Sequence, residues 1–191
     1  HWGGNWNKGF NVYRKIDNLL NDDKFKKKYS FTFIGNLPNG FTFSNADYIT
    51  PISGIELSKK IKEHNLYLTA SLNEPSGNHH IEAAQCGLPL LYIESGGIPE
   101  HCRGFGVSFT EENLIEKLNE ITRDYELYFN KMKDYSLNSN KMCLDYLNFF
   151  TNTLKEKKDI YKERSLVKKN NKYYSFMYHI IMAFKKPKMG K

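Results

Sequence analysis

The feature that most constrains this chain is an alternation of short, apolar, β-rich runs with helical patterns, sustained up to Phe109. The runs are Tyr29–Gly35, Asp47–Thr50, Leu66–Ala70, Leu88–Ile93 and Gly106–Phe109. Between them apolar residues recur at helical spacing: Phe10, Tyr13, Ile16 and Leu20, then Ile55, Leu57 and Ile61 on to about His64. A third helical pattern, Ile81 to Gly87, closes on a glycine. Ser53, followed three residues later by Glu56, has the form of a capping box. Strands that are apolar on both faces and separated by helices predict an α/β fold. The expected form is a Rossmann-like, doubly wound parallel sheet covered by helices on both sides.

Beyond Thr110 the chain reads as helix almost throughout. Thr110 suits an N-cap, with Glu111 and Glu112 at the positive end of the helix dipole, and Leu114, Ile115, Leu118 and Ile121 follow. Helical spacing continues through Leu144, Leu147 and Phe150. The expected division is a Rossmann-like domain over 1–135 and C-terminal helices with a basic tail over 136–191.

At 191 residues the chain has room for one ordinary domain with some extra. Its 40% apolar and 15% aromatic content excludes wholesale disorder. A net charge of +7 suits an anionic partner, whether phosphorylated ligand, membrane or nucleic acid, so the placement of the charge matters. Three widely spaced cysteines, Cys86, Cys102 and Cys143, form no Cys-x-x-Cys pair, which argues against a disulfide framework and for a reducing cytoplasm. The loop-like opening His1-Trp2-Gly3-Gly4 sets the expectation that the chain is a piece of a longer protein.

In open parallel sheets, ligands bind where strands run through loops into helix N-termini. The segment Thr69 to Ala84 has that layout. Gly77 permits a close backbone approach, Asn78 and His79 open the helix with amides suited to an anion, and Glu82 lies a turn further on, suited to sugar hydroxyls. One loop thus offers donors to a diphosphate and acceptors to hydroxyls, the two chemistries a nucleotide sugar combines. On spacing alone, Glu74 and Glu82 read first as ordinary surface acids capping helices.

Glu74, seven intervening residues, and Glu82-Ala-Ala-Gln-Cys-Gly-Leu-Pro resemble the paired-glutamate signature of retaining GT-B glycosyltransferases of the "group 1" type. Glu94-Ser-Gly-Gly-Ile-Pro-Glu100 is similar to their Gly-Gly-x-Pro-Glu loop, and Asn7-Lys8-Gly9 to their lysine-bearing phosphate loop. Phe33-Ile-Gly35 falls in the family's order, and the resemblance covers residues 1–109. It implies the C-terminal, donor-binding half of a GT-B fold. The implied activity is transfer of a sugar, with retention, from a nucleotide-diphosphate sugar to a glycan, lipid or protein acceptor, as in cell-envelope or polysaccharide synthesis.

By the same resemblance Glu82 holds the ribose, Glu74 contacts the transferred sugar, and Gly77, Asn78 and His79 line the diphosphate and sugar. Lys8 neutralises a phosphate, a role with its own rationale: a cation beside a leaving diphosphate stabilises charge that grows during bond cleavage. The missing partner is an N-terminal Rossmann-like domain, without which the fragment is expected to be inactive. Two departures stand out: Pro75-Ser76-Gly77 replaces the family's Gly-Phe-Gly, and Gly3 occupies the place of an arginine five residues before the lysine. The competing expectations are a non-catalytic nucleotide- or sugar-binding module and a GT-B-like sugar-nucleotide epimerase.

No cofactor and no metal are expected, since His79, His80, His101, Cys86 and Cys102 share no metal-ligand spacing. Walker A and Gly-x-Ser-x-Gly sequences are absent, and Gly104-Phe-Gly106 lacks the third glycine of a dinucleotide fingerprint. From Lys155 onward lysines flank the aromatic stretch Tyr173–Phe184. That composition suits an anionic membrane surface or packing against an absent domain, and no nucleic-acid motif accompanies it. The apolar run near Phe176–Phe184 is too short to cross a bilayer. The expected location is therefore cytoplasmic, with peripheral attachment at the inner face of the membrane as the variant.

Overall fold

The computed structural model describes residues 3–157 together with Tyr161, Lys162 and Arg164. The chain divides into two compact units, His1–Asn138 and Ser139–Lys191. The first is mixed α/β. It begins with a single 3-10 turn, Trp6–Lys8, and runs through α1 (Phe10–Leu19), α2 (Asp23–Lys28), β1 (Thr32–Ile34), β2 (Asp47–Ile49), α3 (Gly54–Ile61) and β3 (Tyr67–Thr69). It continues through α4 (His79–Gln85), β4 (Leu90–Ile93), α5 (Ile98–Cys102), β5 (Gly106–Phe109), α6 (Leu114–Arg123) and α7 (Tyr125–Lys131).

The five strands lie where the alternation placed them, and every pairing is parallel. They form two sheets: β1 with β2, and β3-β4-β5 with β4 in the centre. Thr32 stands opposite Asp47, Tyr67 opposite Leu90, and Leu90 opposite Gly106. Successive side chains of β4 serve opposite faces, as the pleat requires. Leu91 joins Phe10, Tyr13, Phe33, Val107, Phe109 and Ile121, a core built with α1 and α6. Leu90 and Tyr92 join Ile61, Ala83, Ala84, Ile98, Cys102 and Met132, a core built with α4 and α5. The three-stranded sheet therefore carries helices on both faces. Each fully buried leucine here contributes about 1.5–3 kcal/mol by leaving water.

The structure corrects several local expectations. Ser53 precedes α3 in extended conformation, but its side chain makes no capping hydrogen bond, so the Ser53–Glu56 box does not form. Ile55 is 77% exposed, and only Ile61 of that helix is buried. Helix α4 does open at Asn78 and His79, as expected, and runs His79–Gln85. Thr110 does not cap a helix. It exchanges hydrogen bonds with Asn113, its N–H donating to Oδ1 at 2.7 Å, and α6 starts only at Leu114. Two short helices were not anticipated: α2, capped by Asp22 accepting from the Phe25 amide at 2.9 Å, and α5, with a proline in its first turn.

The second unit contains α8 (Ser139–Lys155), which buries none of its residues. Met142, Leu144, Leu147, Phe149 and Leu154 are all more than half exposed. Lys141 reaches Asp145 one turn on, with both carboxylate oxygens within 3.0 Å. The stretch Tyr173–Phe184 and most of the basic tail lie outside the described residues. Among the described residues no helix is long and apolar enough to cross a membrane.

Candidate functional site

The site gathers where the chain leaves β3. Gly9 fixes the first wall. Its φ of +96° lies in the left-handed region, and a β-carbon on it would stand 2.5 Å from the Ala70 β-carbon. Only glycine meets both conditions. One residue pair further out, the Leu72 amide donates to the Asn7 carbonyl at 2.7 Å, joining the Trp6–Lys8 turn to the carboxyl end of β3. Lys8 is thereby aimed at the next loop, where its Nζ forms an ion pair with the Glu74 carboxylate. The two side chains are 23% and 11% exposed, so the pair is largely shielded from water.

Glu74 is held from behind. Asn73 takes a left-handed backbone with φ of 53°, which asparagine tolerates better than other side-chain-bearing residues. The Asn73 amide donates to the Ser95 hydroxyl at 2.8 Å, and the Gly97 amide donates to the Glu74 carbonyl at 2.8 Å. The glycine pair after β4 thus packs directly on the glutamate's main chain. Gly77 is buried, and a β-carbon on it would lie 2.8 Å from His79 Nε2 and 3.0 Å from Glu74 Cγ. The close approach expected of Gly77 is made to these two side chains of the protein itself.

His79 Nδ1 lies 3.1 Å from the Tyr67 hydroxyl. Burial, reinforced by the neighbouring His80, lowers the His79 pKa to about 3, so the ring is neutral at physiological pH. His80 is fully buried, its Nε2 3.1 Å from His101 Nδ1, and burial lowers its pKa to about 4. Both histidines therefore present neutral imidazoles, and the positive charge that Lys8 brings to this wall is not theirs to share.

Glu82, in the first turn of α4, and Asn78, just before it, are both exposed. All six residues singled out from sequence, Lys8, Glu74, Gly77, Asn78, His79 and Glu82, line one cavity of about 600 Å³. That volume falls within the range of small-molecule sites. Gly3 lines it too, and a β-carbon there would stand 3.4 Å from Lys8 Cε. Among the described residues no three His, Cys, Asp or Glu side chains converge as metal ligands would.

Sequence reasoning missed Tyr67 as the partner of His79 and Ser95 as a support for the Glu74 loop. It also missed Asp17, a buried carboxylate in α1 that accepts from the amides of Ser44, Asn45 and Ala46 at 2.7–2.9 Å. The glycine pair after an apolar run was the available signal for the Ser95 loop. For Tyr67 and Asp17 no local pattern existed.

In comparison with known proteins, no family model matches the chain and no curated protein matches it.

Proposed function

We propose that this chain is the donor-binding part of a glycosyltransferase, a Rossmann-like, doubly wound domain of GT-B type that transfers a sugar from a nucleotide-diphosphate sugar with retention. The observation that carries the reading is the Lys8–Glu74 ion pair on the wall of a cavity that Glu82 also lines. In this reading the pair is the resting state. An incoming diphosphate exchanges Glu74 for phosphate oxygens around Lys8, and the released carboxylate accepts hydrogen bonds from the sugar. Lys8 then stands beside the oxygen that gains charge as the bond to the anomeric carbon breaks. Glu82 accepts from ribose hydroxyls. The neutral His79 fits a wall that must approach phosphate and sugar without adding a second full charge.

The acceptor reaches the anomeric carbon from the far side of the cleft, which an N-terminal Rossmann-like domain supplies in the resembled architecture. The reaction needs no metal in this scheme, because Lys8 and backbone amides meet the leaving group.

The test is calorimetric titration of the full-length protein with a panel of nucleoside diphosphates, together with release of nucleoside diphosphate from the matching sugar donors in the presence of acceptor glycans. Glu82→Gln is expected to weaken nucleotide binding about tenfold, in line with the loss of a charge-assisted hydrogen bond. Lys8→Ala is expected to lower turnover by two orders of magnitude or more, in line with the loss of a charge-stabilising group. A full-length protein that binds none of the nucleotides and releases none from any donor refutes the reading.

A further inference from the structure

Helix α1 turns one face to the protein interior and the other to water. Phe10, Val12, Tyr13, Ile16 and Asp17 are buried, while Asn11, Arg14 and Asn18 are exposed, with Lys15 half-buried beside them. Spaced three and four residues apart, these four polar side chains form a single row. With Leu19 they line an open groove of about 370 Å³. No carboxylate of α1 belongs to the row, because Asp17 is turned inward to the Ser44–Ala46 amides.

The row abuts an aromatic ring. Arg14 lays its guanidinium over the indole of Trp6, with Cζ 5.0 Å from the ring centre, and stands 5.0 Å from the ring of Phe41 as well. Phe10 and Phe41 meet the indole at near right angles, 75° and 74°. Three neighbours thus fix the orientation of Trp6, yet 45% of it stays exposed. With one face covered by Arg14, the exposed area falls on the opposite face and the outer edge. A tryptophan held still at the surface is suited to recognition: it offers a large contact area and loses little conformational freedom on binding.

Charge and hydrogen bonding narrow the ligand. Lys15 donates to the Glu111 carbonyl, and the exposed Glu111 and Glu112 stand beside it. Arg14 is engaged with two aromatic rings. Two cations against two carboxylates leave no net field to draw a polyanion. An apolar protein surface would bury the Asn11 and Asn18 amides without partners. A neutral sugar ring meets both halves of the surface. Its axial C–H bonds carry partial positive charge and suit the electron-rich indole face. Its hydroxyls, donors and acceptors at once, match asparagine side chains that are the same.

We propose that Trp6 and the row Asn11, Arg14 and Asn18 bind a neutral glycan chain, with one pyranose ring stacked on the indole and the next along the groove. The site lies outside the donor cavity. The turn Trp6–Lys8, closed by the Gly9 amide donating to the Trp6 carbonyl at 3.1 Å, presents Lys8 to the cavity and Trp6 to the outer face of α1. One consequence rests on the glycosyltransferase reading: the acceptor is a polysaccharide rather than a lipid or a protein, held at this second point while its end enters the cleft.

Two-dimensional NMR of the backbone and side-chain N–H groups of the 191-residue protein tests this without any nucleotide sugar. The probes are maltohexaose, cellohexaose, chitohexaose and mannohexaose, with a heparin hexasaccharide and oligouridylate as polyanions. At least one neutral hexasaccharide is expected to shift the Trp6 indole N–H and the Asn11 and Asn18 side-chain N–H signals saturably. Trp6→Ala is expected to weaken that binding about tenfold or more, as loss of an aromatic anchor does. Asn11→Ala combined with Asn18→Ala is expected to weaken it about threefold or more and to leave nucleoside diphosphate binding unchanged. This double variant decides alone if Trp6→Ala fails to fold. The proposal is overturned if no neutral hexasaccharide shifts these signals, if binding survives the substitutions, or if either polyanion binds more tightly. Nucleotide binding without any glycan binding sinks the glycan site alone, and glycan binding at Trp6 without nucleotide binding sinks the donor reading alone.

Discussion

Gly96 lies so close to Glu74 that a β-carbon on it would stand 2.2 Å from the Glu74 carbonyl oxygen, at a φ of +60° that also disfavours any side chain. Gly40 shares the left-handed backbone, with φ of +74°, but a β-carbon there meets nothing within 4 Å. The two glycines separate a conformational cost from a steric one. Gly40→Ala is expected to lose about 1 kcal/mol by denaturant titration, the cost of the left-handed backbone alone. Gly96→Ala is expected to lose more, about 2–4 kcal/mol, since the loop must move off Glu74. Equal losses in the two variants would show that the Gly96 loop yields freely and does not position the glutamate.

The ion pair between Lys8 and Glu74 gives a second expectation. Lys8→Met leaves a carboxylate that is only 11% exposed without its cation, and is expected to lose about 1–3 kcal/mol of stability. Adding Glu74→Gln to that variant is expected to restore part of the loss. A double-mutant cycle is expected to return a coupling of about 1 kcal/mol or more; additivity of the two changes would show that the pair is loose.

Stability is expected to fall on acidification before the carboxylates titrate. His79 and His80 have folded pKa values lowered to about 3 and about 4, below the ordinary value of 6.5. Between those values and 6.5 the unfolded chain binds protons that the folded chain refuses, so stability rises with pH there and is fully present only above about 6.5. For His80 alone the difference corresponds to roughly 3 kcal/mol. His80→Phe is expected to flatten the stability profile between pH 4 and 6.5. A profile as steep in that variant as in the parent would assign the slope to other groups.

Asp17 is expected to be a stability determinant with no part in ligand binding. Its carboxylate is 4% exposed and accepts from three successive backbone amides. Asp17→Ala leaves those donors unmet and is expected to lose about 2–4 kcal/mol. Asp17→Asn keeps one acceptor oxygen and is expected to lose less. Thermal unfolding of the two variants orders them, and Asn at least as damaging as Ala would contradict the account.

The strands were legible because apolar runs bounded by turn residues carry their own evidence, and the helix faces of α1 and α6 followed from spacing. The division into two sheets was not, because pairing depends on what stands beside each edge and not on the strand's own residues. The Ser53–Glu56 box failed for a similar reason: the pattern was present, but Gly54 at φ +61° turns the backbone away from the geometry in which the serine side chain would cap. Helix α2 escaped notice since Phe25 is its single apolar residue in a run of lysines. At the site, Lys8, Glu74 and Glu82 were visible as residue types at telling positions. Their supports were not, because the Ser95 hydroxyl reaches Asn73 across 22 residues and Tyr67 reaches His79 from a different element.

Helix α1 has one further consequence. Its entry, at Gly9, is seated on Ala70 at the end of β3, and Asp17 near its exit grips the Ser44–Ala46 segment that leads into β2. Ten residues of helix, a rod of about 15 Å, therefore tie one sheet to the other. The rod works as a spacer bar, and the gauge between the two sheets is set by its length, with Lys8 in the turn that enters one end of it.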